Sequence, residues 1–341
     1  MAISVLMTVF NGQRWLREAI DSVLNQTYSD FEFLIVDDGS TDGTPDILEQ
    51  AARRDGRIRV IRHENMGVSR SANLALREAK HDWVARFDAD DLMTLDRLER
   101  QVAFLEANPD VVVASCLADY IDDEGRNVGY YDNPLTTRSE VQQWIDSGKV
   151  IYFIQSGAIM RRDIVELVGG YRPEFTVTED TDLWNRIAEA GYSVLVQPEV
   201  LMQVRVHGSS LTRSSLMLQA RQFRWLEDCA ARRRSGSPEI SFDSFLKQER
   251  ESNVLARMNI ARKDYGSILY KRAAIERTGG SLLAMLMFLG LATLMYPSYA
   301  IGNVWGKAFR PRVRREEAIE ATAPAPGDVD PMEDRRSDRA A

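Results

Sequence analysis

Three carboxylates stand within four residues at Asp88-Ala89-Asp90-Asp91. Carboxylates this close repel one another unless a cation sits among them, and hard oxygen ligands suit Mg²⁺ or Mn²⁺, which often bridge to phosphates. The same residues also suit a plain helix start, because acidic side chains favour helix N-termini and an amphipathic run opens at Asp96. A second pair, Asp37-Asp38, precedes Gly39-Ser40 at the end of an apolar run. A carboxylate there can hydrogen-bond a ribose hydroxyl or a base N–H; an Asx turn into the next helix is the simpler reading. Thr178-Glu179-Asp180-Thr181-Asp182 offers either a helix cap or a general base. In Arg205-Val206-His207-Gly208-Ser209, one of only three histidines in the chain ends an apolar alternation. Its imidazole could complete a metal shell and Arg205 could meet a phosphate, while an ordinary loop histidine is the plainer reading. No GxGxxG follows the first apolar run and no GxxxxGK[ST] occurs, which argues against nicotinamide dehydrogenases and P-loop enzymes.

The elements that must position these groups alternate. The pattern predicts strands at 3–10, 31–36, 58–62, 83–87 and 111–120, with helices at 13–26, 44–54, 69–79 and 96–108 between them. Such alternation implies a parallel sheet covered on both faces, with ligands beyond the carboxyl ends of the strands. Those ends are 8–12, 37–39 and 88–91, where the polar groups and glycines gather. From 125 to 207 the pattern is mixed: a strand and turn, a helix at 139–147, a strand pair or extended segment at 150–161, a helix at 180–190, then further strands. Residues 214–277 read as mostly helix, broken near Ser235-Gly236-Ser237-Pro238. Residues 278–306 contain no charge, and 282–296 are apolar on every face. The tail 312–341 is Pro-, Ala- and charge-rich without apolar periodicity, a pattern of disorder.

The chain has 341 residues, 44% hydrophobic and 28% charged, enough for a substantial core. Its net charge of −8 gives no nucleic-acid footprint. The charge is uneven: residues 1–212 carry 21 basic and 35 acidic side chains, and residues 213–277 carry 14 and 8. This suggests either two jobs or two solvated surfaces of opposite sign. Two cysteines, Cys116 and Cys229, without a CxxC suit a reducing, cytoplasmic compartment. The apolar start MAISVLMTVFNG has no basic leader and reads as a strand, not a signal peptide.

Taken in order, these segments resemble family 2 glycosyltransferases, whose catalytic domain has the GT-A fold: α/β, a Rossmann-type mixed sheet covered by helices. ISVLMTVFNGQRWLREAIDSVLNQTYSDFEFLIVDDGSTDGT is similar to that family's opening, and HENMGVSRSANLALREAKHDWVARFDADD to its middle block. GGYRPEF, EDTDLW and RVHGSSLT are similar to its acceptor-side blocks. The resemblance implies inverting transfer of a sugar from a nucleotide-sugar donor, a UDP-sugar or similar, to a sugar or lipid-linked acceptor, with a divalent Mg or Mn ion. It implies that Thr8, Val9, Phe10, Asn11 and Asp38 hold the base and ribose, with Asp37 beside them, and that Gly67 and Asn73 line the donor pocket. Asp88, Ala89 and Asp90 match the family's DxD, with Asp90 or Asp91 on the metal. Asp180 matches the catalytic base, with Glu179 next to it, and His207 a residue that approaches the metal or diphosphate. There are departures. Ala72 stands where many members carry Arg, so no phosphate role passes to it, although Arg70 is near. The QxxRW block and the multiple membrane spans of processive synthases are absent, which favours single additions.

The resemblance divides the chain into a GT-A-like catalytic domain at 1–212, a basic helical region at 213–277, an apolar helix or hairpin at 278–311 and the tail. The apolar run 282–296 is shorter than the roughly 20 residues a bilayer span needs. Adding 298–305 reaches that length, but Pro297 and Gly302 interrupt it. A buried hairpin, an interfacial anchor and a single span remain open. Basic residues on both sides favour anionic lipid if a membrane is met, at the inner face of the cell membrane. Two other activities compete. A sugar-phosphate nucleotidyltransferase wants a Gly-rich basic loop after the first strand, of which Phe10-Asn11-Gly12-Gln13-Arg14 is a poor version. A DxD phosphatase wants its acidic pair on the first strand, not the fourth. A non-catalytic nucleotide-sugar binder is argued against by the intact Asp38, Asp90 and Asp180.

Overall fold

The computed structural model describes residues 1–207, 215–277 and 281–301. The later part of the RVHGSSLT block (208–212), residues 302–311 and the tail 312–341 lie outside the described residues. One nine-stranded mixed sheet organises the catalytic part, in the order β3-β2-β1-β4-β8-β6-β9-β5 with β7 beside β6. Its parallel half is β1 (Ile3–Val9), β2 (Phe31–Asp37), β3 (Ile58–Arg62) and β4 (Trp83–Asp88). Every residue of β2, and all but one of β1, is buried, as expected for parallel strands covered on both faces by α1 (Leu16–Leu24), α2 (Thr44–Arg54) and α3 (Val68–Glu78). Register decides where the chemistry falls. Val9 pairs with Asp37 and Thr8 with Asp88, so three strand ends deliver their polar residues to one level.

The second half departs from a purely parallel expectation. Residues 150–158 form no strand; only β8 (Ile159–Arg161) pairs, antiparallel to both β4 and β6 (Val111–Ile121). The strands expected in 192–207 are one element, β9 (Ser193–Arg205), parallel to β6. Its register slips where Gln197 pairs with Cys116 but Val200 with Leu117, and Pro198, which has no N–H to give the ladder, lies within that slip. Short β5 (Leu92–Met93) pairs antiparallel with β9, and β7 (Asn127–Tyr131) forms a hairpin with β6. Helices α4 (Arg97–Ala107), α5 (Arg138–Asp146), α6 (Arg162–Leu167) and α7 (Glu179–Glu189) complete this part.

Beyond 214 the described residues are mostly helical, as expected for 214–277: α8 (Leu216–Arg234), α9 (Phe242–Glu251), α10 (Val254–Arg277) and α11 (Leu282–Met295). The break at Ser252-Asn253 has no counterpart in the apolar pattern. There the Asn253 side-chain oxygen accepts from Ala256 N–H at 2.9 Å, a local bond that starts a new helix. The change of charge sign near residue 212 is not a break in packing. Trp225, Leu226, Cys229 and Ala230 of α8 share one apolar cluster with Val150 and Phe175, and the Trp225 and Phe175 rings stack at 4.1 Å. Cys116 and Cys229 are both buried free thiols.

Candidate active site

The acidic strand end divides its labour. Asp91 is 3% exposed, and its Oδ1 accepts from Arg205 N–H at 2.9 Å. Asp90 keeps 35% of its side chain exposed and meets His207 Nε2 through Oδ2 at 2.8 Å. Asp88 is anchored by its N–H, which donates to Ser156 Oγ, and its carboxylate lies 3.3 Å from Arg86. The His207 ring packs against Trp15, centroids 4.2 Å apart. Arg205 corrects an expectation. Instead of meeting a phosphate, its buried guanidinium donates to the carbonyls of Asp90, Asp122 and Asp123 and to Glu18. It clamps the acidic turn to the β6–β7 hairpin and α1.

The first two strand ends are stitched together. Asn11, with φ 53°, donates its N–H to Ser40 Oγ and accepts Thr41 N–H on Oδ1, while Phe10 is half exposed. Gly12 is required by close packing, since a Cβ there would lie 2.6 Å from Val9. Asp37 is fully buried; it accepts Ser40 N–H at 2.9 Å and pairs with Arg62 at 3.2 Å. The simple turn reading therefore describes Asp37. Asp38 does something else: Oδ1 accepts from Met66 N–H and Oδ2 from Gly67 N–H, at 2.8 and 3.0 Å. Gly67, at φ 88°, is the residue before α3. Asn73 spends its amide on Tyr171, donating to the carbonyl at 2.7 Å and accepting the N–H at 2.8 Å. That bridge fixes the Gly170 turn, where a Cβ would meet Asn73 Oδ1 at 2.6 Å.

The third carboxylate group lies at the start of α7. Asp180 Oδ1 accepts from Thr181 N–H at 2.6 Å and Thr181 Oγ1 at 3.2 Å. Glu179 is buried, and burial with the neighbouring Asp180 charge pushes its carboxyl up to about 8. Burial also raises Asp180, to about 6, against the two hydrogen bonds from Thr181, and the Asp88 charge adds to the rise. Asp182 belongs to the scaffold: fully buried, it pairs with Arg172 and Arg186.

Known proteins resemble this chain over its first two thirds. Residues 4–169 match the model for glycosyl transferase family 2. A putative glycosyltransferase, EpsE, of Bacillus subtilis is 34% identical over 217 residues, 62% of this chain and 76% of that protein. A second from the same organism, EpsH, is 29% identical over 62% of this chain and 63% of its own length. The chain belongs to glycosyl transferase family 2. Among solved structures, the mannosyltransferase PcManGT of Pyrobaculum calidifontis, in complex with GDP-Man and Mn²⁺, superposes with a TM-score of 0.55 at 20% identity, covering 89% of this chain and 87% of that one. S. aureus TarS residues 1–349 with UDP gives 0.52 at 16% identity, over 91% and 93%. The GT-A expectation for the fold holds.

In this glycosyltransferase the buried guanidiniums are the site residues that motif spacing misses. Arg86, 2% exposed, donates to Thr8 Oγ1 at 2.7 Å and Phe87 O at 2.7 Å and pairs with Asp88. Arg97 is fully buried, and burial pushes it down to about 10. It reaches the carbonyls of Arg86 and Ala158. A lone Arg inside the apolar run of β4, two residues before Asp88, is a signal the sequence does contain: a buried charge needs a partner. Gln222 of α8 carries no such signal. It is 2% exposed, its Oε1 accepts both Thr176 and Val177 N–H, and its Nε2 donates to Glu174 O. These bonds hold the loop that leads into Glu179 and Asp180.

The residues at the strand end fit a hard divalent cation in a particular way. Burial and mutual repulsion raise the Asp91 carboxyl well above its ordinary range, and burial with the Asp90 charge raises Asp88, although Arg86 opposes it. This crowding of negative charge is what a cation relieves. Among the described residues no group of three or more His, Cys, Asp or Glu side chains is spaced to hold a metal. Asp90 and His207, in contact at 2.8 Å, are the side chains there that would hold such a cation, and oxygens of a bound substrate would have to supply the remaining positions.

Proposed function

We propose that this family 2 glycosyltransferase inverts the anomeric centre of a nucleotide sugar, a UDP-sugar or similar, in a single displacement by an acceptor hydroxyl. The observation that carries the reading is the opposition of two carboxylate sets: the Asp88 charge acts on both Asp180 and Glu179 across the sheet end. One set faces the leaving diphosphate, the other the attacking hydroxyl. Asp180, near 6, is ionised at neutral pH and takes the hydroxyl proton as the C–O bond to the anomeric carbon forms and the C–O bond to the diphosphate breaks. Glu179, near 8, is still protonated and cannot be that base. It keeps a neutral neighbour beside Asp180. Mg²⁺ or Mn²⁺ held by Asp90 and His207 would neutralise charge on the diphosphate. Asp91 supports that turn through the Arg205 backbone rather than by ligation.

On the donor side, the stitched loops Thr8–Asn11 and Asp37–Ser40 give a rigid rim for the base and ribose. Asp38 orders Met66 and Gly67, and Asn73 fixes the Tyr171 turn behind the pocket. The B. subtilis relatives and the sugar-nucleotide complexes of the structural neighbours support a place in polysaccharide or glycolipid assembly. The acceptor is then a sugar or lipid-linked hydroxyl, met on the cytoplasmic side of a membrane with an anionic surface. The catalytic unit extends past 212 to include α8 and α9. The test is incubation with a panel of nucleotide sugars and Mn²⁺ while nucleoside diphosphate release is followed. Release from at least one donor, abolished by chelator, supports the reading. Absence of release and of any donor-induced rise in melting temperature overturns it.

A further inference from the structure

The hairpin of α10 and α11 leaves a large apolar face uncovered. Leu282, Leu283, Leu286, Met287, Leu291 and Leu294 are between 42% and 79% exposed. On the other side, α11 is held firmly. Ala292 is buried, and Gly266 of α10 lets Tyr296 approach so closely that a Cβ would meet it at 2.5 Å. Arg262 donates to Met295 O at 2.6 Å, closing the C-terminal end of α11. One face is therefore packed and the opposite face bare, with no charged residue from 278 to 306. Six such side chains on one short helix exceed the scattered exposure that soluble surfaces normally tolerate.

The rim of this face is basic. Arg262, Lys263 and Arg272 are exposed along α10, and Arg262 and Lys263 reach the end of α11 at Met295 and Tyr296. The two carboxylates of α10 are engaged elsewhere: Asp264 pairs with Arg224, and Glu276 accepts from Ser281 N–H at 3.1 Å. Lys271, counted among the flanking basic residues in the sequence, is not part of the rim, since its amine bonds Gln219 of α8. A second copy of the chain would bring the same basic rim, whereas a layer of anionic headgroups brings the opposite charge. Length fixes the orientation. Fourteen residues of helix extend about 21 Å against the roughly 30 Å of a hydrocarbon core. No described helix is long and apolar enough to cross a membrane.

We propose that the α10–α11 hairpin docks this enzyme onto an anionic bilayer, with α11 lying in the interfacial plane, its leucines among the acyl chains and the basic rim among the headgroups. The proposal deepens the membrane-side acceptor reading given above and rests on it only for the purpose of docking. The placement also suits an amphiphilic acceptor. Tyr299, just beyond α11, packs edge-on to Tyr270 at 5.6 Å and stacks on Tyr296 at 5.3 Å.

The test is flotation of the full chain with vesicles of phosphatidylcholine alone or with 30 mol% phosphatidylglycerol, beside L283E/L294E. Both leucines are more than three-quarters exposed, so the variant keeps its core. Expected is binding to the anionic vesicles that falls at least tenfold between about 0.1 and 0.5 M salt, where screening shortens to a few ångströms. L283E/L294E should lose at least tenfold in partition while releasing nucleoside diphosphate from a soluble donor at the wild-type rate. Failure of the full chain to bind either vesicle overturns the proposal. So does concentration-dependent dimerisation that L283E/L294E abolishes without altering vesicle binding. Vesicle binding without turnover of any donor would leave the docking intact and instead refute the transferase mechanism.

Discussion

Glu179→Gln gives a direct measure of the electrostatics at the base. Its carboxyl is 7% exposed and raised to about 8, first by burial and then by Asp180. The sign follows from linkage. Between the ordinary carboxyl range and about 8, the unfolded chain has released this proton and the folded chain retains it. Folding then takes up a proton, and stability falls as pH rises through that window. The distance from 4.5 to about 8, at about 1.4 kcal/mol per tenfold in proton affinity, amounts to roughly 4–5 kcal/mol lost by pH 8.5. Because Asp180 shares the repulsion, about 2–4 kcal/mol is the expected gain on replacing the acid by its amide. At about 2–4 °C per kcal/mol, Glu179→Gln should melt higher by about 5–10 °C at pH 8.5, and close to wild type at pH 4.5. The assay is a melting series from pH 4.5 to 9 on both proteins without donor. Parallel curves, with no widening gap as pH rises, would refute a buried neutral Glu179. A Gln variant with transfer within about tenfold of wild type would agree with the neutral role; a loss as deep as that of Asp180→Asn would make Glu179 the base.

Asp180→Asn should lower transfer by about 10²–10⁴ while donor affinity stays within a few-fold, measured by single-turnover transfer and donor titration. Wild-type kcat/KM should climb as pH rises through about 6 and then level, because the base works only when ionised; a profile flat from pH 5 to 8 would contradict this. Asp90→Ala should weaken metal-dependent donor binding at least tenfold, leave acceptor KM unchanged and abolish the response to Mn²⁺, checked by calorimetry with and without chelator. Gln222→Leu orphans the N–H groups of Thr176 and Val177, at about 1–3 kcal/mol each. It should reduce kcat by tenfold or more at unchanged donor KM, and Gln222→Glu, which keeps the acceptor oxygen, should recover part of the loss.

The parallel half of the sheet was legible because buried parallel strands are mostly apolar runs closed by polar ends, a rule that β1, β2 and β4 follow, while the edge strand β3 (IRVIR) alternates and is only partly buried. The carboxylate clusters at those ends were legible for the same reason. What each carboxylate does was not. Asp37 and Asp38 are adjacent and identical, yet one makes a local turn with Ser40 while the other reaches Met66 and Gly67. Asp90 and Asp91 diverge similarly, because the chain turns at 89–90, where Asp91 N–H donates to Asp88 O at 3.3 Å, and sends one carboxylate to His207 and the other to the Arg205 backbone. Arg205 looked available for a phosphate, but its donors are used by partners in the turn after β4, the β6–β7 hairpin and α1. Three-residue β8 was not legible, since a strand this short takes its identity from its neighbours. Gln222 lay beyond reach because its partners stand about 45 residues earlier, and only the fold brings them together.

The charge inventory of the site explains why donor and cation should bind as a unit. Asp88, Asp90 and Asp91 face two buried guanidiniums, Arg86 and Arg97, and Asp180 adds a further negative charge at neutral pH. Arg86 is already committed to Thr8 and Phe87, and Arg97 to the carbonyls of Arg86 and Ala158. The one unpaired donor of Arg86, its Nε, is buried, so neither guanidinium turns a free donor outward to a diphosphate. A diphosphate alone would therefore enter a cleft of its own sign, and a cation alone would find two side chains, Asp90 and His207, too few for its shell. Each partner would supply what the other lacks: a cation would cancel the repulsion, and diphosphate oxygens would supply the ligands that Asp90 and His207 do not. The expected consequence is mutual enhancement of binding, with each ligand raising the other's affinity by the same factor, measured by titrating donor with and without Mn²⁺. This reciprocity separates the arrangement from a basic phosphate cleft, where affinity for the nucleotide would survive chelation.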